Sequence, residues 1–174
     1  MVSNMKNQRV LPILLIALVA FSCKKKSEDE LRLLAQDFEK QEKFEDAMQS
    51  YENLAESYPK GQYVEETLIR MAFIAYNNLN DFNRAIDLHK GLIKDYPGSK
   101  FVGQSRFMIG YIYANDLKDY DNARLCYTEF LEKHPDSELV DSVKWELEHL
   151  GKDVNQQLQE LFSNQKANGQ VKMN

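Results

Sequence analysis

The stretch FNRAIDLHKGLIKDYP, residues 82–97, decides the fold class of this chain. Its apolar side chains recur at helical spacing and form one stripe, which predicts an amphipathic α-helix. Proline cannot continue a helix and restricts the residue before it, so Tyr96-Pro97 marks the helix end. Ala85 stands within the stripe, where a small side chain allows a second helix to approach closely.

The same pattern occurs twice more at a constant offset. Pro59, Pro97 and Pro135 are separated by 38 residues each, and each follows a ring-bearing residue. Twelve residues before each proline stands an alanine: Ala47, Ala85 and Ala123. Three residues before the alanine stands an aromatic (Phe44, Phe82 and Tyr120), and four after it stands a ring (Tyr51, His89 and Tyr127). Seven residues after it stands an apolar residue: Leu54, Leu92 and Phe130. A fixed period of this length indicates a repeat protein.

Each unit contains a second helical segment upstream of this one. The pattern predicts first helices over residues 64–78 and 102–115, followed by short Asn-Asp and Lys-Asp turns. In the first unit, residues 27–30 have the S-x-x-E form of a capping box, which places the start of the first helix there. Because a single helix pair cannot bury its apolar stripe alone, successive pairs must stack.

These positions resemble the tetratricopeptide repeat family. The small residue and the aromatic of the first helix are present in Leu34-Ala35-x-x-Phe38 and Ile109-Gly110-x-x-Tyr113, whereas Met71-Ala72-x-x-Ala75 lacks the aromatic. The resemblance covers about residues 28–150. It implies an all-α, right-handed superhelix of antiparallel helix pairs with about three and a half repeats.

The predicted organisation follows from these units and from the leader that precedes them. An apolar face on residues 139–150 and another on residues 154–162 predict helices that close the array, and the last residues have no periodicity. The predicted segments are a signal peptide (1–22), a lipidated tether (23–27), three repeats (28–61, 62–99 and 100–137), capping helices (138–163) and a disordered tail (164–174).

The leader has the order of a secretory signal. Lys6 and Arg9 precede an apolar run, residues 10–21, which is shorter than the 20 or so residues that a spanning helix needs. Residues 19–23 resemble a bacterial lipobox, although Ala20 and Phe21 depart from its usual residues. The resemblance implies acylation of Cys23 and attachment to a membrane; the alternative is an ordinary secretory signal with an accidental thiol.

Composition and motifs limit the function classes. The net charge is −5, and −7 without residues 1–22, so we expect no nucleic acid partner. No phosphate-binding glycine motif and no H-E-x-x-H motif is present, so we expect no cofactor, no metal and no enzymatic activity. His89 and His134 stand where other units have rings, which favours packing or capping roles. Cys126 suits a small buried apolar position.

The resemblance also implies a binding surface, because the first helices of tetratricopeptide arrays line the concave face. The predicted protein-binding groove consists of Ile69, Phe73, Tyr76, Asn77, Phe107, Tyr111 and Asn115, with Arg32, Gln36 and Glu39 at the corresponding positions of the first unit. This set does not match the carboxylate-clamp subtype of the family and suits an extended or helical peptide. The alternative is that these rings pack against neighbouring helices.

Longer units closed by Tyr-Pro-x-Ser are similar to two periplasmic families. One is the tetratricopeptide lipoprotein of the outer-membrane β-barrel assembly machine, and the other coordinates cell division with the Tol–Pal system. We therefore predict a non-enzymatic scaffold, an outer membrane lipoprotein facing the periplasm that binds envelope proteins. Within this class the alternative is an accessory of β-barrel assembly. The alternative from another class is a helical envelope hydrolase or a ligand-binding lipoprotein.

Overall fold

A computed structural model describes residues 25–152, 159 and 162–164. Within these residues the chain forms seven α-helices with named bounds and no strand, so the all-α prediction is confirmed. The helices are α1 (Glu28–Lys40), α2 (Phe44–Ser57), α3 (Val64–Asn77), α4 (Phe82–Asp95), α5 (Val102–Asn115), α6 (Tyr120–Lys133) and α7 (Val140–His149).

Three of the helices, α1, α4 and α6, begin at side-chain caps. The Ser27 hydroxyl accepts a hydrogen bond from the Glu30 backbone N–H (3.2 Å), and the Glu30 carboxylate accepts one from the Ser27 N–H (2.7 Å). The predicted capping box is therefore confirmed. Asp81 and Asp119 cap α4 and α6 in the same way, each accepting from the backbone N–H three residues later.

The turn inside each helix pair uses a left-handed residue at the same place. Glu42, Asn80 and Lys118 have φ of 57°, 53° and 56°, and they are separated by 38 residues each. None of the three is glycine, although this conformation is uncommon for residues with a Cβ. The geometry of the turn thus repeats even where its sequence does not.

Neighbouring helices along the chain are also the main neighbours in space, from α1 on α2 through to α6 on α7. We call α1, α3, α5 and α7 the first helices and α2, α4 and α6 the second helices. Because consecutive helices run in opposite directions, the start of α1 lies on the same edge of the array as the loops between helix pairs, residues 58–63, 96–101 and 134–139. We call this edge the loop edge. The turns at residues 41–43, 78–81 and 116–119 form the opposite, turn edge.

Small residues allow the helices of a pair to approach closely. Ala47, Ala85 and Ala123 have no exposed surface. At Gly110 the contact is closer still, since a Cβ there would lie 2.6 Å from Cε1 of Tyr127. Glycine at this position therefore lets the Tyr127 ring lie against the α5 backbone.

We expect Ala123→Leu to overpack the third helix pair and lower the free energy of unfolding by roughly 1–3 kcal/mol. The reason is that Ala123 is fully buried in the close contact between α5 and α6. Chemical denaturation would measure the change, with Arg124→Leu, at an exposed neighbouring position, as the control. A melting midpoint unchanged by Ala123→Leu would contradict the repeat alignment.

Several predicted segments fall outside the described residues. These are the signal peptide (1–22), Cys23 and Lys24 of the tether, most of the last capping helix and all of the tail except Asn164, which is helical. Within the predicted capping region, α7 ends at His149 and is followed by Gly151 with φ of 76°.

Candidate functional site

The seven residues of the predicted groove lie on α3 and α5, and they differ in exposure. The Phe73 residue is 48% exposed, and Asn77 and Asn115 are exposed. The remaining four are half-buried: Ile69, Tyr76, Phe107 and Tyr111. The first helices thus expose one aromatic ring and two amides, and the other rings of the predicted groove are half-buried beside them.

Tyr76 leans toward the core. Its ring lies 5.7 Å from that of Phe82 between centroids, and it packs against the apolar cluster that extends from α1 to α5. Burial raises the pKa of the Tyr76 phenol to about 12, and the neighbouring Asp116 carboxylate and Tyr111 add to this. Tyr76 therefore joins α3 to the unit that follows it.

Phe107 and Tyr111 form a pair one helical turn apart on α5, with ring centroids separated by 6.0 Å. Phe107 also contacts the ring of Tyr127, at 6.2 Å, and packs against the apolar cluster of the third unit. Tyr127 is fully buried, and burial raises the pKa of its phenol. Phe107 consequently connects Tyr111, at the surface, to the core.

The two amides of the groove make the same contact in successive units. Asn77 donates from Nδ2 to the carbonyl of Phe73 (3.1 Å), and Asn115 donates to that of Tyr111 (3.2 Å). Each bond uses one of the two amide N–H groups. The repeat relation between the units therefore extends to the orientation of these side chains.

A cleft of about 600 Å³ lies beside this row of residues, between α1 and α3. It contains the three positions of the first unit that correspond to the groove, and Phe73 stands at its rim. Its lining is Arg32, Gln36, Glu39, Lys40, Phe44, Tyr51, Tyr63, Glu66, Thr67, Arg70, Phe73 and Asn78. This cleft is thus more polar than the aromatic groove that was expected.

A hydrogen-bonded network forms one wall of the cleft. The Tyr51 hydroxyl donates to Oε1 of Glu39 (2.5 Å), and Arg70 donates from Nε to Oε2 of the same carboxylate (2.7 Å). Burial and this bond to Glu39 raise the pKa of Tyr51, and the bond to Glu39 raises that of Arg70. Glu39 therefore holds side chains of α2 and α3 on α1.

Arginine side chains also stack on the rings at the cleft. The guanidinium of Arg70 lies 5.0 Å from the centroid of Phe73, and that of Arg32 lies 4.5 Å from Tyr63. Sequence reasoning did not identify Arg70 and Tyr63 as site residues. One signal was present, because Arg70 is the only basic residue of α3 and stands between the apolar residues Ile69 and Met71.

A smaller cavity, of about 200 Å³, lies between α4, α5 and α6, and Cys126 forms part of its wall. The thiol of Cys126 is free, and its burial raises its pKa, so that it stays protonated at neutral pH. In the described residues no group of three His, Cys, Asp or Glu side chains is arranged to hold a metal ion. None of the described helices has the length and apolar character needed to cross a membrane.

The two histidines at ring positions occupy different surroundings. His89 is buried, with Nδ1 at 3.1 Å from Oγ of Ser105, and burial lowers its pKa from 6.5 to about 4. The His134 ring packs beside Phe130 at 5.3 Å between centroids. Both side chains thus contribute to packing in the second and third units.

Acid should destabilise the protein partly through His89. Above pH 6.5 the imidazole is neutral in both the folded and the unfolded state, so its burial costs no folding stability through titration. As the pH falls from 6.5 to about 4, the unfolded chain binds a proton before the folded one does, and stability is lost. The loss should reach up to about 3 kcal/mol.

Urea unfolding at a series of pH values, for the parent and His89→Gln, would measure this contribution. The carboxylates of Asp119 and Glu129 have lowered pKa values, so their protonation in acid also lowers the free energy of unfolding. This contribution is the same in both proteins. The difference between the two curves therefore isolates His89. Parallel curves below pH 6.5 would contradict the assignment.

A family model described as "YfiO: Outer membrane lipoprotein" matches residues 24–150, which include α1 to α7 and most of the chain. No curated protein matches the chain.

Proposed function

The chain belongs to the YfiO family of outer membrane lipoproteins, and we propose that it acts there as a non-enzymatic scaffold that binds an envelope protein. In this proposal the first helices carry the binding surface, and acyl chains on Cys23 hold the protein on the membrane. An outer membrane lipoprotein that faces the periplasm would meet partners in that compartment.

The observation that carries this proposal is the exposure of Phe73 next to Arg70. A large ring that is 48% exposed, flanked by a guanidinium and set at the rim of a cleft of about 600 Å³, has the composition of an interface hot spot. Tyr111 occupies the equivalent position one unit later, 38 residues along the chain. The two rings favour an elongated partner, such as an extended or helical peptide, that crosses two units.

The polar groups of the cleft favour binding over catalysis. Both oxygens of Glu39 accept hydrogen bonds, one from Tyr51 and the other from Arg70. A carboxylate whose two oxygens are both engaged by neighbouring side chains is poorly placed to take a proton from a substrate. We therefore assign this network a role in fixing the shape of the surface.

The partner can be identified by photo-crosslinking in intact cells. A crosslinking amino acid at Phe73 should trap one envelope protein, whereas the same residue at Leu125, which is 67% exposed on α6, should not. Capture of a β-barrel assembly component would favour the accessory role, and capture of another envelope protein would favour a different scaffold. Equal capture from both positions, or turnover of an envelope substrate, would contradict the proposal.

Tyr111→Ala should weaken partner binding by roughly thirtyfold. Loss of a ring near the centre of an interface costs about 2 kcal/mol or more, and 1.4 kcal/mol is a factor of about ten in affinity. Circular dichroism and a melting curve must accompany the binding measurement, because Tyr111 contacts Phe107 on the same helix. Unchanged affinity in a folded variant would remove Tyr111 from the site, and a large loss of stability would make it a core residue.

A further inference from the structure

The described part of the tether is bound to the first unit. Lys25 donates from Nζ to the carbonyl of Ser57 (3.2 Å), and its ammonium lies 4.7 Å from the centroid of the Tyr58 ring. The Tyr58 hydroxyl in turn donates to the carbonyl of Lys26 (2.8 Å). Residues 25 and 26 are therefore held against the end of α2, at the loop edge.

This contact has a counterpart between the first and second units. The hydroxyl of Tyr96, which stands 38 residues after Tyr58, donates to the carbonyl of Pro59 (2.8 Å). In both cases the tyrosine before the proline binds a backbone carbonyl of the segment that precedes its own unit. The tether thus occupies the place that the loop of an earlier unit would have.

The start of α1 is fixed to the same loop. One oxygen of Glu28 accepts a hydrogen bond from the backbone N–H of Tyr63 (2.8 Å). Gly61 leaves room for this carboxylate, because a Cβ there would lie 2.1 Å from Oε1 of Glu28. Side-chain and backbone bonds therefore connect residues 25–28 to the loop at residues 58–63.

We propose that the loop edge of the first unit lies against the phospholipid surface, in an orientation set by these contacts. The inference rests on the proposed acylation of Cys23. One residue, Lys24, separates Cys23 from Lys25, so their Cα atoms are at most about 7 Å apart. A lipid-bearing residue that close to a bound segment brings the loop edge to the headgroups.

The dimensions of the unit agree with this orientation. Lys26 and Lys60 are exposed at the loop edge beside the acids Asp29 and Glu30, so the tether and not the net charge carries the inference. The turn edge is farther away, since the thirteen residues of α1 rise 1.5 Å each and span about 20 Å. Lys43, an exposed lysine of the turn edge, provides a matched reference position.

Fluorescence quenching would test the orientation. The full lipidated chain with Cys126→Ala would carry a fluorophore at Lys60→Cys or at Lys43→Cys, in phosphatidylethanolamine–phosphatidylglycerol vesicles with nitroxide-labelled headgroups. With the two edges separated by about 20 Å, quenching at position 60 should be at least about twice that at position 43. Equal quenching, or stronger quenching at position 43, would overturn the proposal.

A lengthened tether separates the contributions of the lipid and of the contacts. A flexible Gly-Ser insertion of about ten residues after Lys24 should keep the protein on vesicles but bring quenching at position 60 toward that at position 43. An unchanged ratio would contradict an orientation set by the short tether. If the natural chain carries no acyl chains and does not float with vesicles, the proposed lipidation and this inference fail together. Vesicle-bound protein with equal quenching at the two positions would refute the orientation alone.

Discussion

Cys23→Ser should move the protein from the membrane fraction to the soluble part of the cell envelope. In the proposed lipoprotein, attachment depends on acyl chains at this thiol, and each buried CH₂ contributes about 0.8 kcal/mol. Several chains on one residue hold a protein far more firmly than a single chain does. Their removal should therefore change the distribution from mostly membrane-bound to mostly released, which is the largest effect expected of any single substitution here.

Fractionation and labelling with a fatty acid would measure this change. Cys126→Ser is the matched control, because it removes the other cysteine of the chain and leaves the proposed acylation site intact. The control should stay with the membrane and keep the label. If Cys23→Ser also keeps both, the lipobox interpretation is wrong.

Phe130→Ala should have the largest effect on folding stability, a loss of about 3–5 kcal/mol. Phe130 has no exposed surface and belongs to the apolar cluster that joins α5, α6 and α7. Removing its ring leaves a cavity that the helices cannot close, because Tyr127 and Val143 are fully buried around it. The cost therefore includes both the lost burial of the ring and the empty space.

Denaturant unfolding would give the size of the loss, with Leu125→Ala as the control. Leu125 is 67% exposed on the same helix, so its truncation should change stability by no more than about 0.5 kcal/mol. Hydrogen exchange should show that α6 and α7 lose protection before α1 and α2, since a repeat array unfolds locally. A loss below about 1 kcal/mol for Phe130→Ala would contradict the assigned packing.

The helices were predictable because their ends depend on local chemistry. Pro59, Pro97 and Pro135 each stand two residues after the last residue of a helix, and the Ser27 cap stands before the first. The alanines of the second helices were predictable for a related reason, because a constant offset of 38 residues marks a position with the same packing demand. These signals act over a few residues, and they survive differences between the units.

The direction of the groove side chains was not predictable in the same way. The sequence left two alternatives open, that these rings line a groove or that they pack against neighbouring helices, and it did not indicate that Tyr76 contacts Phe82 or that Phe107 contacts Tyr127. The direction of each ring depends on the neighbouring helix, because a ring or a small residue there determines whether the side chain has space to pack. The network at Glu39 depends on Arg70, 31 residues away, and a pairing across units leaves no local pattern.

The serial packing of the helices determines how the protein would respond to mechanical force. If a bound partner is pulled away from the membrane, the tension enters at Cys23 and passes through each interface between the anchor and the groove. Helices in series carry the same force, so the least extensive interface on this path yields first. That interface lies between α2 and α3, where the first two units meet, because each helix pair packs more extensively within itself than against the next pair. The array is therefore most compliant between its first and second units, and it would lengthen there while each helix pair keeps its shape.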